Sequence, residues 1–180
     1  MKTPGLVLLI AFAVLVPKSA RSAGLPPWQF GMTPEQTKSF KQFGPYKSFS
    51  NGDLETYHGI YRGHKENVQF FFGNGRLIRI GVYLYEGKDK EKTIQTFAQL
   101  YQQFEREYGK VDMPLNLKIE AKQMNAEVLA IGAAANAFVT GRTEMTPRKQ
   151  RGKMRVSARF IHYPIVAQGN DSVAIFFDPR

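Results

Sequence analysis

Apolar and polar residues alternate most regularly over residues 67–85, and this alternation predicts two β-strands joined as a hairpin. The turn is expected at Gly73-Asn74-Gly75, because Asn-Gly between two alternating apolar runs is the strongest short-range hairpin signal. The rest of the fold can therefore be predicted outward from this hairpin.

The register of the hairpin depends on the length of its loop. A two-residue loop would pair Phe72 with Leu77, whereas a three-residue loop with a glycine bulge would pair Phe70 with Ile78. A slip of one residue moves a whole set of side chains to the other face, so the apolar pattern decides between the two. The three-residue loop is predicted because it collects the apolar side chains on one face, namely Val68, Phe70, Phe72, Ile78, Ile80, Val82 and Leu84.

Two further strands are predicted before the hairpin, at 46–50 and 54–62, with a four-residue connection at 63–66. The four strands would form an antiparallel meander. Continuing the register backwards places Tyr57 and Tyr61 on the apolar face. The opposite face would then carry a mixed set of side chains, namely Thr56, His58, Ile60, Gln69, Phe71, Leu77, Arg79, Tyr83 and Tyr85.

The clearest helix is predicted over 89–108, where Asp89 can cap the start and Gly109 can end the helix. Its apolar stripe recurs at helical spacing and consists of Ile94, Phe97, Ala98, Tyr101, Phe104 and Tyr108. We expect this stripe to pack on the apolar face of the hairpin.

Two other helices are predicted, at 34–43 and 125–140. Thr33 can cap the first and, together with Gln36, form a capping box. The second is rich in alanine and has no charge after Glu127, which favours a buried or half-buried helix.

The remaining segments complete the predicted fold class. Residues 153–164 and 172–178 alternate as strands, residues 141–152 form a polar loop, and residues 111–122 form a linker. The sequence therefore predicts an α+β fold, an antiparallel meander sheet of about six strands with the helix at 89–108 packed on one face.

The first 22 residues have the features of a secretory signal peptide: a basic start at Lys2, the apolar run 5–16 and small residues before Ala23. The alternative is an uncleaved anchor, although the apolar run is shorter than the ~20 residues that span a bilayer. The mature chain, residues 23–180, is expected to be a single domain outside the cytoplasm, either periplasmic or secreted. It has no cysteine, so it has neither a disulfide framework nor a cysteine-linked lipid.

The chain is basic, with 25 Lys and Arg against 15 Asp and Glu and a formal charge of +10. Outside the cytoplasm this charge either favours binding to an anionic envelope component or only promotes solubility. No acidic residue interrupts 148–159, and the candidate anion-binding residues there are Arg148, Lys149, Arg151, Lys153, Arg155 and Arg159. This segment could bind an anionic surface or could simply be a solvated face. Nucleic acid is not an expected partner, because few aromatic residues are interleaved with the basic ones.

The sequence lacks the motifs of common catalytic and cofactor sites. It has no G-x-S-x-G or S-x-x-K motif and no glycine-rich phosphate loop before a helix. His58, His64 and His162 are the only histidines, and none has metal-ligand spacing to another. A metal could bind near His58 and His64 with Glu55 and Glu66, but solvated or hydrogen-bonded histidines are more frequent. No cofactor and no metal are therefore predicted.

Two short motifs carry a resemblance to a known group of proteins. Phe-Gly-Met-Thr-Pro-Glu-Gln at 30–36 and Phe-Gly-Pro-Tyr at 43–46, followed by a strand meander, resemble the opening of small secreted bacterial α/β proteins. These include the BamE-like and β-lactamase-inhibitor-like modules. The resemblance covers about residues 30–85, and the chain differs in having four strands before its main helix and no lipid-accepting cysteine. It implies binding of other macromolecules, often through an exposed sheet face, and it transfers no catalytic residue.

Together these features predict a non-enzymatic binding protein of a bacterial envelope, whose partner is a protein or an anionic envelope component. The binding surface would be the sheet face opposite the helix at 89–108, because aromatic residues and Arg are typical of interface centres. The predicted contact residues are Phe71, Arg79, Tyr83, Tyr85, His58 and Gln69. The helix at 125–140 could instead cover this face. Trp28 could add an aromatic anchor, although such a residue more commonly packs its own segment onto the core.

Two other functions stay open at this point. One is an envelope enzyme, such as a hydrolase, whose site is built from separated residues that converge in a cleft. A pocket with two titratable groups within hydrogen-bond reach would favour it. The other is a polyanion or membrane-surface binder that uses residues 148–159.

Overall fold

A computed structural model of the chain describes residues 25–115, 124–164 and 170–180. The predicted signal peptide and the predicted mature start at Ala23 lie outside these residues. Within them, the chain combines an antiparallel β-sheet with α-helices, so the α+β class is confirmed.

The elements follow one another in a simple order, with a helical turn at the start, strands next, then two helices, and strands again. In chain order they are α1 (Pro34–Lys38), a 3₁₀ turn (Lys41–Phe43), β1 (Lys47–Ser48), β2 (Leu54–Tyr61), β3 (His64–Gly73), β4 (Arg76–Gly87), α2 (Lys90–Tyr108), β5 (Val111–Asp112), α3 (Ala126–Thr140), β6 (Arg142–Pro147), β7 (Met154–Tyr163) and β8 (Asn170–Pro179).

Within the described residues, the sheet has eight strands in the order β1-β2-β3-β4-β8-β7-β6-β5, and every pair is antiparallel. Two meanders therefore meet at β4 and β8, where Val82 pairs with Ile175. This junction joins the apolar residues of both halves of the chain into one core.

The predicted number of about six strands is too low, because β5 and β6 were assigned to a linker and a polar loop. Strand β6 does alternate, with Thr143, Met145 and Pro147 buried. Only Met145 of these three is strongly apolar, and proline disfavours strands, so the alternation is weak in the sequence.

The turn between β3 and β4 has two residues, and Phe72 pairs with Leu77. Asn74 and Gly75 both have positive φ, at 50° and 70°. This is the conformation that a two-residue hairpin turn of the right twist requires, and Asn-Gly adopts it at low cost. The predicted three-residue loop is therefore wrong, and the two-residue alternative forms.

A β-bulge at Ile78 explains why the apolar pattern pointed to the other register. The register shifts between Phe71 and Phe72, so that Phe70 pairs with Ile80 rather than with Ile78. The extra residue restores the alternation, and Ile80 faces the core while Ile78 is exposed.

A second tight turn, Arg62-Gly63, joins β2 and β3, with positive φ at both residues. The predicted connection at 63–66 is therefore too long. Thr56 pairs with Val68 of the core face, although it was predicted on the opposite face. Tyr57, which was predicted on the apolar face, is instead exposed.

The predicted helix at 89–108 is confirmed as α2. The Asp89 side chain accepts a hydrogen bond from the Lys92 backbone N–H and caps the helix, which ends at Gly109. Phe97 and Phe104 are fully buried against the sheet, and Phe97 meets Phe160 with ring centroids 5.8 Å apart.

The predicted helix at 125–140 is also confirmed, as α3. Asn125 caps its start, and Gly141 ends it with a φ of 82°. It buries Ala130, Ala133 and Ala137, whose small side chains let the helix lie close to the sheet. It packs beside α2 and over β6 and β7, so both helices cover the same face.

The N-terminal segment covers the part of that face that the helices leave free. Helix α1 ends at Lys38, so the predicted helix at 34–43 is too long, although the capping box of Thr33 and Gln36 does form. Trp28 is fully buried, and its ring lies 4.8 Å from that of Phe70. Of its two predicted roles, packing onto the core is the one that the structure supports.

Candidate functional site

Four of the six predicted contact residues lie on the sheet face away from α2 and α3, here called the open face. They are Gln69, Phe71, Arg79 and Tyr83, which alternate with the core residues of β3 and β4. Helix α3 does not cover this face, since it packs on the other one. Tyr83 is nevertheless only 7% exposed, whereas Phe71 is half-buried.

The other two predicted contact residues lie elsewhere, which corrects the prediction. Tyr85 follows a second register shift in β4 and pairs with Val173 of the core, and its hydroxyl accepts a hydrogen bond from the Asp89 backbone N–H. His58 follows the irregularity in β2, and its Nδ1 lies 2.6 Å from the carbonyl oxygen of Gly44 in the N-terminal segment. Both errors arise because a bulge reverses the alternation along a strand.

Two ion-paired arginines cover the centre of the open face. Arg79 donates two hydrogen bonds to Asp178, at 2.6 and 3.1 Å, and Arg159 donates one to Glu144 at 2.7 Å. Their guanidinium carbons lie 5.5 and 4.5 Å from the ring centroid of Phe176, which is 2% exposed. The arginines therefore form ion pairs and also cover the Phe176 ring through cation–π contacts.

A polar network occupies the β2 side of the open face. The Asn67 Nδ2 donates hydrogen bonds to Glu55 and Glu86, at 3.1 and 2.7 Å, and the Gln69 Nε2 donates to Glu55 at 3.0 Å. Desolvation raises the pKa of Glu86, the hydrogen bond from Asn67 lowers it, and the charge of Glu55 raises it. Gln69 and Arg79 are therefore already engaged within the protein.

The six basic residues predicted to bind anions are spread over different environments. Arg148 pairs with Asp112 at 2.6 Å, and Arg151 stacks on Tyr108 with 6.0 Å between guanidinium carbon and ring centroid. Arg159 lies on the open face in its pair with Glu144. Lys149, Lys153 and Arg155 are exposed.

A cavity of about 380 Å³ lies between the helices and the sheet, where the start of α2 meets the end of α3. The lining is mostly apolar and has three titratable groups. It consists of Lys90, Ile94, Ala134, Ala135, Phe138, Phe160, His162 and Asp171. A volume in this range and an apolar lining with a few convergent polar groups are typical of small-molecule sites.

His162 and Asp171 form the polar part of this cavity. They face each other across the β7–β8 pair, and the His162 Nδ1 lies 2.7 Å from the Asp171 Oδ1. The two side chains are only 10% and 6% exposed. The carboxylate favours a proton on Nδ1, so Nε2 is the ring nitrogen that remains for a ligand or a proton transfer.

Phe138 forms the outer wall of the cavity. It is 66% exposed, and its ring lies 5.0 Å from the His162 ring. The Lys90 Nζ lies 5.9 Å from the Phe138 centroid, which places a positive charge beside the same ring. The exposed ring of Phe138 therefore offers an aromatic surface for contact with a ligand.

A second hollow between α2 and α3 adjoins the cavity, and Ile94 lines both. The second hollow has a volume of about 610 Å³, and its lining combines three apolar residues with five polar ones. Its lining consists of Glu91, Ile94, Gln95, Ala98, Gln99, Gln102, Glu127 and Ile131. The two hollows together form a groove between the helices.

The sequence analysis identified His162 only as one of three histidines and assigned it no partner. The signal that could have linked it to Asp171 was the two predicted strands at 153–164 and 172–178, because a hairpin places the end of the first strand beside the start of the second. The register within that hairpin was not predicted, so no partner could be assigned. The carboxylate itself comes one residue before the predicted second strand.

The described residues contain no group of three or more His, Cys, Asp or Glu side chains placed to hold a metal ion. Of the two histidines considered for a metal, His58 contacts the Gly44 carbonyl oxygen and His64 is exposed at the start of β3. None of the helices in the same residues is long and apolar enough to cross a membrane.

Comparisons with known proteins add nothing to this geometry. No family model, no curated protein and no solved structure matches the chain. The resemblance to BamE-like modules stays a prediction, and the functional argument rests on the residues themselves.

Proposed function

We propose that the protein is a non-enzymatic binding protein of the extracytoplasmic space that takes a small, largely apolar ligand in the cavity beside His162. One observation carries the proposal: a His162–Asp171 pair at 2.7 Å lies within a mostly apolar cavity of about 380 Å³. Apolar walls supply affinity, and a few oriented polar groups supply specificity.

The lining favours binding over covalent chemistry. The eight described residues that line it include no serine, threonine or cysteine, the nucleophiles most often activated by a His–Asp pair. His162 could still act as a general base, and this keeps an enzyme as the alternative if a substrate is found. Ligand binding needs only the lining that is present, whereas a reaction would also need a substrate that His162 can deprotonate.

A fluorescent apolar probe, N-phenyl-1-naphthylamine, tests the proposal on the mature chain. Ala135→Trp should weaken probe binding at least tenfold, because Ala135 is exposed and lines the cavity, so an indole there fills it. Val139→Trp is the matched control, since Val139 lies on the same helix, is 82% exposed and is not part of the lining.

Equal probe binding by the two variants, with both folded by circular dichroism, would contradict a cavity site. The predicted location is tested separately by sequencing the N-terminus of the protein recovered from an envelope fraction. A start at Ala23 is expected, and a retained residue 1 would contradict cleavage.

A second candidate function is docking of a protein partner on the open face, and one observation favours it. Phe71 is half-buried and Tyr57 exposed on a face that no described element covers, and Arg79 lies beside Phe71. Aromatic rings next to an arginine are typical of interface centres. Because Tyr83 is buried and Gln69 is hydrogen bonded, this candidate rests on fewer residues than the sequence predicted.

Partner capture from envelope extract distinguishes this second function. The wild-type chain and an Ile131→Ser control, whose change lies between the helices, should capture the same protein, and Phe71→Ser should lose it. Retention by Phe71→Ser would reject the open face, whereas loss only from Ile131→Ser would point to the groove.

A further inference from the structure

We infer that the ligand of this cavity is an amphipathic molecule with one acidic group, held between Lys90 and His162, and an apolar part that extends along the groove between α2 and α3. This inference rests on the proposed function and adds the chemical class of the ligand. Three observations carry it: the His162 Nε2, which has no hydrogen-bond partner among the described residues, the charge of Lys90, and Ile94 as a wall shared by the two hollows.

The pairing of His162 with Asp171 determines what the ring can offer. With the proton on Nδ1 directed at the carboxylate, neutral Nε2 is a hydrogen-bond acceptor. A ligand group that carries a proton can donate to it, and an anion can accept from it if the ring takes up a second proton. An acidic group can therefore form a hydrogen bond with the neutral ring or with the doubly protonated ring. An ether or a ketone only accepts hydrogen bonds, so it can bond only to the doubly protonated ring.

Lys90 distinguishes an acid from other proton donors. An alcohol or an amine could also donate to Nε2, but the Lys90 ammonium lines the same cavity and repels a cation. The competing negative charge, Asp171, already has its Oδ1 engaged by His162, and Glu91 lines only the second hollow. The expected order of affinity is therefore acid, then alcohol, then amine.

The path of the apolar part follows from the residues between the helices. Ile94 lines both hollows, and Ala98 and Ile131 continue the apolar surface away from His162. Ile131 is exposed although it is a large aliphatic residue, so covering it would be favourable. A linear chain that starts at His162 would bury this surface.

Isothermal titration of the mature chain with decanoate, 1-decanol and decylamine, all below micelle-forming concentrations, tests the inference. Decanoate should bind at least tenfold more tightly than decanol, and decylamine more weakly than both. Lys90→Met should reduce the affinity for decanoate to that for decanol and leave decanol unchanged. Lys92→Met is the matched control, because Lys92 stacks on Tyr85 and does not line the cavity.

The outcomes separate the inference from the proposed function. Equal affinities for decanoate and decanol, or equal losses in the Lys90 and Lys92 variants, would overturn the acidic class while leaving a cavity that binds apolar molecules. Binding of all three compounds that Ala135→Trp does not weaken would place them outside the cavity and overturn both. Absence of binding by all three compounds would likewise overturn both.

Discussion

The two faces of the sheet are both shielded at their centres, but by different means. On the helix side, sheet residues such as Phe70 and Phe160 are covered by whole elements, namely α2, α3 and the segment that carries Trp28. On the open face, Phe176 is covered by side chains of its own sheet, chiefly Arg79 and Arg159. Alternation along the strands gives each face of the sheet an apolar centre, and only the centre on the helix side is covered by helices.

The difference predicts how each face responds when it is disturbed. A ring fixed between a helix and a sheet has close-packed neighbours that cannot collapse into a void. A ring under arginine side chains has neighbours with long aliphatic stems that can settle into the space. The helix side should therefore be more sensitive to lost volume than the open face.

The largest effect is expected for Phe97→Ala, which should lower the free energy of unfolding by about 3–5 kcal/mol. Phe97 is fully buried against Phe160, so its removal leaves a cavity. Phe176→Ala should cost less, about 2 kcal/mol, because Arg79 and Arg159 can partly fill the space. Urea unfolding of both variants measures the difference, and an equal or reversed ranking would mean that the open face is as rigid as the core.

An intermediate effect is expected for Arg79→Met. Methionine keeps an apolar cover over Phe176 but removes the two hydrogen bonds to Asp178. The pair is partly exposed, so the expected loss is about 1 kcal/mol. The control is Lys153→Met, because Lys153 is exposed and lies just before β7. This change should leave the urea midpoint unchanged. An unchanged midpoint in Arg79→Met would show that the pair adds no net stability.

Local patterns determined how much of these faces could be predicted from the sequence. Helices α2 and α3 were predicted within one residue of their starts, because periodicity and caps are contained in the segments themselves. The bulge at Ile78 was missed, because an extra residue in a strand is set by cross-strand pairing. That bulge and the second register shift in β4 determine which sheet face each side chain occupies. The predicted hairpin register and the predicted position of Tyr85 were therefore both wrong.

The cavity was the least predictable feature for the same reason. His162 and Asp171 meet only through the β7–β8 register, and Lys90 and Phe138 reach them only through helix packing. A cavity lined by residues from four separate elements leaves no motif in the chain. The open face, by contrast, was partly predictable, since Gln69 and Phe71 follow simple alternation from the core residues Val68 and Phe70.

The smallest expected effect concerns Glu86 at the edge of the open face, and it has a defined sign. Desolvation raises the pKa of Glu86 above its unfolded value, so the folded state binds the proton more tightly. The stability from this proton is present below a pH of about 4.3, the ordinary glutamate pKa, and is lost as the pH rises through the folded pKa. Glu86→Gln should therefore stabilise the protein slightly at neutral pH, by well under 1 kcal/mol because the group is partly exposed, and the gain should vanish in acid.

Glu35 provides a control of opposite sign for this titration. A backbone hydrogen bond, a hydrogen bond from Thr33 and the charge of Lys38 lower the pKa of Glu35, against a small desolvation effect. Its stabilisation is present above the ordinary glutamate pKa and is lost as the pH falls through the lower, folded value. Glu35→Gln should thus destabilise at neutral pH, where Glu86→Gln stabilises. Urea midpoints measured from pH 3.5 to 7.5 should depart from those of the wild-type protein in opposite directions for the two variants. Parallel curves would mean that Glu86 is as well solvated as a residue outside the polar network.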